Sequence, residues 1–131
     1  AQVDKIKPIA KKYNLKIIED AAHAAGAYYK NKKIGSHSNA ICFSFHPIKN
    51  LTMPTGGLIS INDKKHKKIR EILSAKRWCG ITNRKGTNYD VKQIGNNYYM
   101  NEFSAAIGLV QLKKLDKLNS IHRKIAKRYS Q

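Results

Sequence analysis

An α/β fold, with a mostly parallel sheet flanked by helices, is what this 131-residue sequence predicts, and three features predict it. A helix-spaced segment near the start leads directly into a short apolar run, Leu15 to Ile18. Two further β-type runs follow, Ala40 to Phe45 and Leu58 to Ile61, and a long amphipathic pattern opens after Asn101. Short apolar runs alternating with 3.6-period segments indicate a sheet covered by helices.

Val3, Ile6, Ile9, Ala10 and Tyr13 recur at helical spacing, so a first helix is expected to end near Asn14. Asp4 is a candidate cap, and Pro8 leaves the start of the helix open. Leu15-Lys16-Ile17-Ile18 then reads as a buried strand. Ala21 to Ala25 is rich in small residues, which lets backbone approach closely just after Asp20. Tyr28 to Gly35 reads as a hairpin turning at Asn31-Lys32. Ala40 to Phe45 is the next strand, and Leu58 to Ile61 another, entered through Gly56-Gly57.

Asn62-Asp63 is expected to start a lysine-rich helix running to about Trp78, with Ile69, Ile72 and Leu73 on its buried side. Residues 79–96 show no period, contain Gly80, Gly86 and Gly95, and read as a long loop. Asn101 is a suitable N-cap. After it, Phe103, Ile107, Val110, Leu112, Leu115, Leu118, Ile121, Ile125 and Tyr129 trace the apolar side of a long helix.

By length the chain is one domain, and 41% hydrophobic residues suffice for a core. It has no apolar run of about 18 residues and no signal-peptide pattern, so a cytoplasmic location is expected. Cys42 and Cys79 are too few and too isolated for a disulfide framework and read as free thiols. His37, Cys42 and His46 lack the paired spacing of a metal site, so none is expected. Lysine and arginine number 26 against 8 acidic residues, a net charge of +18. Such an excess attracts polyanions. It is spread over every surface segment, with no block of interleaved aromatics. A small basic nucleic-acid-binding module is the competing reading, and it rests on charge alone.

Chemistry enters with Lys49. It stands just past the Ala40–Phe45 run, after Ser44, with Pro47 stiffening the approach. Asp20 stands at the exit of the Leu15–Ile18 run. A lysine and an aspartate at the ends of neighbouring strands suit pyridoxal 5'-phosphate. The amine holds the cofactor as a Schiff base while the carboxylate keeps the pyridine ring protonated. A nucleophilic lysine also needs a desolvated or cationic pocket, since in water it is almost fully protonated.

Ile18-Glu19-Asp20-Ala21-Ala22-His23-Ala24, Cys42-Phe43-Ser44-Phe45-His46-Pro47-Ile48-Lys49-Asn50 and Gly95-Asn96-Asn97-Tyr98-Tyr99-Met100-Asn101-Glu102 occur in the order and spacing of one family. With Ala105 to Leu112 and Leu115-Asp116, the chain resembles DegT/StrS-type sugar aminotransferases over nearly its whole length. The resemblance implies part of a pyridoxal-phosphate-dependent transferase of the aspartate-aminotransferase-like fold type I. Residues 1–110 would be the central part of its large domain, and 111–131 the start of the helix leading to a small domain. It implies transfer of an amino group, usually from glutamate, to a keto group on a nucleotide-linked sugar, by a homodimer.

By the same resemblance, Lys49 is the Schiff-base lysine and Asp20 the partner of the pyridine nitrogen. His23 lies beside the phenolic oxygen, Ser44 offers a hydroxyl to the phosphate, and Asn97 reaches across the dimer to the partner's phosphate. Retention of Lys49 disfavours related dehydratases that place histidine there. Family members are well over twice as long, so these residues by themselves are expected to be an inactive fragment. Two departures concern the substrate side. Thr52-Met53-Pro54-Thr55 precedes the glycine pair where many members carry an acidic residue, and Tyr99 replaces a basic one. His46 has no role of its own in this reading beyond support of the lysine loop.

Overall fold

The computed structural model describes residues 1–131 as two compact units. The first, Ala1–Asn62 with Asn101–Gln131, holds α1 (Val3–Lys12), β1 (Ile18–Asp20), β2 (Tyr28–Tyr29), β3 (Lys32–Lys33), β4 (Ala40–Ser44) and β5 (Gly57–Ile61). The second, Asp63–Met100, holds α2 (His66–Arg77), β6 (Ile81–Lys85) and β7 (Asn88–Val91). The last helix, α3 (Glu102–Tyr129), belongs to the first unit.

The sheet of the first unit has the order β1-β4-β5. β4 is central, parallel to β1 and antiparallel to β5. A parallel pair requires a crossover, and residues 21–39 supply it through the β2–β3 hairpin instead of a helix. Ile41, in the middle of β4, is fully buried, and Val3, Ala10, Ala21, Ala25, Leu51, Met53 and Leu115 complete the core.

The first strand begins later than its apolar run suggests. Leu15 and Ile18 are 61% and 71% exposed, and the β-ladder starts only at Ile18. The cause is the end of α1. Asn14 adopts a left-handed φ of 52°, its N–H donates to Lys11, and the Leu15 N–H donates to Ala10 at 2.7 Å. These two bonds form a Schellman closure that takes Leu15 into the helix terminus. Asp4 does not cap α1, whose N-cap is Gln2. It instead accepts from the Tyr29 hydroxyl and from the Lys30 ammonium, 2.7 Å away. The hairpin turns one residue earlier than expected, at Lys30-Asn31, where both residues have positive φ as a type I′ turn demands.

Asn101 caps α3 as expected, its side-chain oxygen accepting from the Ser104 N–H at 2.8 Å. The buried line of this helix differs from the apolar stripe. It consists of Ser104, Gly108, Leu115 and Asn119, while Phe103 and Tyr129 are 86% and 89% exposed. Small residues are buried because the neighbours come close. A Cβ on Gly108 would lie 2.5 Å from the Met53 sulfur. A Cβ on Gly26 would lie 2.5 Å from the Asn119 amide nitrogen.

In the second unit, α2 starts at His66, after a turn in which Asp63 accepts from the Lys65 N–H. Its one buried residue is Ala75, and Ile72 is exposed. Residues 79–96, expected as a loop, contain the antiparallel β6–β7 hairpin with a register irregularity between Thr82 and Lys85. Every residue of β7 is exposed, so no in–out alternation was imposed on its sequence. Tyr99 stacks on Trp78, and the Arg84 guanidinium sits 4.7 Å from the Trp78 ring centre. Across the chain, no helix is long and apolar enough to cross a membrane.

Two outcomes are expected. Hydrogen bonds from Lys30 and then Tyr29 lower the Asp4 carboxyl from 3.8 to about 2. A depressed carboxyl stabilises the fold above its unfolded pKa, and that contribution fades as pH falls from about 4 towards about 2. Asp4→Asn should therefore lower the thermal midpoint at neutral pH, with the difference from wild type shrinking across that acid window. An unchanged midpoint at pH 7 would contradict the assignment. Gly26 has a φ of +75° and no room for a Cβ. Gly26→Ala should cost at least about 1 kcal/mol in urea denaturation, and an unaltered midpoint would show that the turn relaxes freely.

Candidate active site

The β1–β4 register decides which side chains meet. Asp20 pairs with Cys42, so Asp20, Cys42 and, one alternation further, Ser44 share a face of the sheet. With Ile18, Glu19, Ala22 and Phe43 they line a cavity of about 450 Å³. It lies at the carboxyl ends of the parallel strands, where open α/β sheets receive their ligands.

Asp20 is fixed as the chain leaves β1. Its Oδ1 accepts from the Ala22 N–H at 3.0 Å, and the Ala21 N–H donates to the Cys42 carbonyl at 2.8 Å. A following turn, with the Ala24 N–H donating to Ala21, places His23 beside Lys49. The His23 Nε2 and Lys49 Nζ are 2.6 Å apart. With Lys49 as an ammonium, which has no lone pair, the lysine donates and the ring proton sits on Nδ1. Glu19 alternates to the other face of the sheet, opposite the fully buried Ile41, and one of its carboxylate oxygens is buried without a hydrogen-bond partner.

The loop carrying Lys49 is built from its own polar groups. The Ser44 hydroxyl accepts from the His46 N–H at 3.3 Å, and the Lys49 N–H donates to the His46 carbonyl at 2.9 Å. The His46 ring nitrogen Nδ1 lies 3.4 Å from the Ile48 N–H, so this histidine supports the lysine turn. Thr52 closes the loop by donating to the Lys49 carbonyl at 2.8 Å. The residue after the lysine is anchored too, since the Asn50 amide donates to Asn119 on α3 at 3.0 Å.

The residues expected from the sequence thus fall into three places. Asp20 and Ser44 line one cavity. His23 and Lys49 contact each other but do not line it. Asn97 lies in the second unit, exposed, in an isolated antiparallel bridge with Trp78. Thr52 and the Asn50–Asn119 pair were not singled out from sequence. Thr52 lies two residues past the Cys42–Asn50 segment, and its hydroxyl three residues after Lys49 is the available signal. The Asn50–Asn119 pair spans 69 residues and leaves no local pattern.

Comparisons with known proteins bear on the family and the fold. The chain is 39% identical over 115 residues to the UDP-4-amino-4,6-dideoxy-N-acetyl-beta-L-altrosamine transaminase of Campylobacter jejuni, covering 88% of this chain and 30% of that protein. Helicobacter pylori PseC, an aminotransferase involved in the biosynthesis of pseudoaminic acid, superposes with a TM-score of 0.82 at 36% identity, covering 88% of this chain and 30% of PseC. Spr1654 from Streptococcus pneumoniae in its PLP-form gives a TM-score of 0.88 at 25% identity, over 99% of this chain and 37% of that one. The chain spans about a third of the length of these relatives, and its α/β architecture is a part of their fold. The family model of the DegT/DnrJ/EryC1/StrS aminotransferase family matches residues 1–131, and the chain belongs to that family.

Proposed function

We propose that these residues belong to a pyridoxal-phosphate-dependent aminotransferase that moves an amino group, from glutamate, to a keto group on a nucleotide-linked sugar. The observation that carries this reading is the convergence of Asp20 and Ser44 on one cavity with Lys49 held at His23, in a chain of this family. Aminosugar and polysaccharide biosynthesis in the cytoplasm, by a homodimer, is the setting that fits.

The residues present suit the cofactor. A cavity of about 450 Å³ lies in the size range of small-ligand sites. It offers a carboxylate for a cationic ring nitrogen, a hydroxyl for an anionic oxygen, and a lysine close by for an aldehyde. When bound, pyridoxal phosphate supplies the electron-withdrawing ring through which amino groups are exchanged. Asp20 would hold the proton on the ring nitrogen, a charge-assisted bond worth about 1.5–3 kcal/mol. Ser44 would donate to the phosphate, and His23 would orient the phenolic oxygen. Lys49 would hold the cofactor through its aldehyde carbon, the carbonyl oxygen leaving as water, and its amine, once displaced, would carry the proton at the carbon that gains or loses nitrogen.

In the assembled enzyme, residues 1–110 form the central part of the cofactor-binding large domain, and 111–131 begin the helix leading to a small domain. Asn97 reaches the phosphate held by the partner subunit. The net charge of +18 favours approach of a phosphorylated substrate.

Mixing the full-length enzyme with pyridoxal phosphate should produce the visible absorption band of a lysine-bound cofactor. Lys49→Ala should remove that band, and its persistence would eliminate Lys49 as the attachment point. Asp20→Ala should weaken cofactor affinity by about tenfold or more, the loss of one charge-assisted hydrogen bond.

A further inference from the structure

We propose that Asn119 is a positioning residue that keeps Lys49 and His23 in contact by tying together the two segments that carry them. The proposal rests on the reading of Lys49 as the reactive lysine. It concerns a residue 70 positions away in sequence, on a helix that contributes nothing to the cavity lining.

Asn119 is 6% exposed on α3. Its Oδ1 accepts from the Asn50 side-chain amide at 3.0 Å. Its Nδ2 donates to the Ala25 backbone carbonyl at 3.0 Å. Asn50 directly follows Lys49, and Ala25 comes two residues after His23. One buried amide therefore bonds both chain segments whose side chains meet at the 2.6 Å Lys49–His23 contact.

The fit is specific to asparagine. Aspartate would turn a carboxylate oxygen towards the Ala25 carbonyl, glutamine is one methylene too long, and alanine would leave two buried polar groups unpaired. The approach also needs Gly26, where a Cβ would collide with the Asn119 amide. Leu115, one helical turn earlier, packs against the same glycine without making a hydrogen bond there. It provides a control for packing alone.

The test uses the full-length protein without cofactor or substrate. Reductive methylation with formaldehyde and borohydride is followed lysine by lysine with peptide mass spectrometry, the other lysines serving as internal reference. An amine held at His23 is less available to reagent than a free one. Asn119→Ala should therefore speed methylation of Lys49 by about threefold or more, the change expected for one lost hydrogen bond. Asn50→Ala should act in the same direction, and it decides the matter if Asn119→Ala does not fold. Leu115→Ala should leave the Lys49 rate at its wild-type value. Unchanged Lys49 reactivity in the asparagine variants, or an equal rise in Leu115→Ala, would overturn the proposal. Because no cofactor is present, a negative result here beside an intact Lys49-dependent absorption band removes the clamp and leaves the enzymatic reading in place.

Discussion

The parallel register between β1 and β4 is the constraint on which the site depends. Three residues pair on each strand, with Asp20 opposite Cys42. Side chains alternate with a period of two, so a slip of one residue would carry Asp20 to the opposite face, away from Ser44. So short a ladder is pinned at both ends. Before β1, the Ile17 N–H donates to the Asn39 side chain at 3.0 Å. After it, the Ala21 N–H donates to Cys42. The fully buried Ile41 between them makes the alternative register a loss of core packing as well.

The crossover that makes this parallel pairing possible also builds the other half of the site. Residues 21–39 leave the carboxyl end of β1 and return to the amino end of β4, and they do so close to the sheet. Alanines at 21, 22, 24 and 25 and glycine at 26 keep the first part thin enough to lie against α3. His23 is the one large side chain in that stretch, and it points to Lys49. The second part, the β2–β3 hairpin, is held to α1 through Asp4. Small residues near Asp20 and an acidic residue on the first helix thus serve the same end, a helix-free crossover with a defined path.

Sequence made this site legible where the cause was local. β4 and β5 were readable because consecutive apolar residues and a glycine entry mark them, and the Asn101 cap because one side chain bonds a backbone N–H three residues on. Lys49, Asp20, His23 and Ser44 were legible as segments with fixed spacing. What escaped was set by contacts distant in the chain or by their absence. The buried line of α3 is drawn by what lies against it, Met53 and Gly26, not by its own apolar stripe. Leu15 looked like strand core until the Schellman closure assigned it to the helix end. The β6–β7 hairpin buries too little to write an alternating pattern.

The electrostatics of the chain divide the work between long range and short range. The chain carries 26 basic and 8 acidic residues, so a large excess of positive charge remains whatever pairs form. At distances of about a Debye length, such a surface draws phosphate-bearing molecules without selecting among them. The cavity has the opposite character, since Asp20 places a carboxylate on its wall and Ser44 a hydroxyl. A ligand with anionic and cationic ends is therefore attracted by one feature and oriented by the other. On the proposed function, its cationic end would turn towards Asp20 and its anionic end away from that carboxylate. A nucleic-acid face would need the reverse, with basic and aromatic groups at the point of contact. On the proposed function, the charge that first suggests a polyanion binder serves instead to draw a small, doubly charged ligand whose cationic end Asp20 would hold.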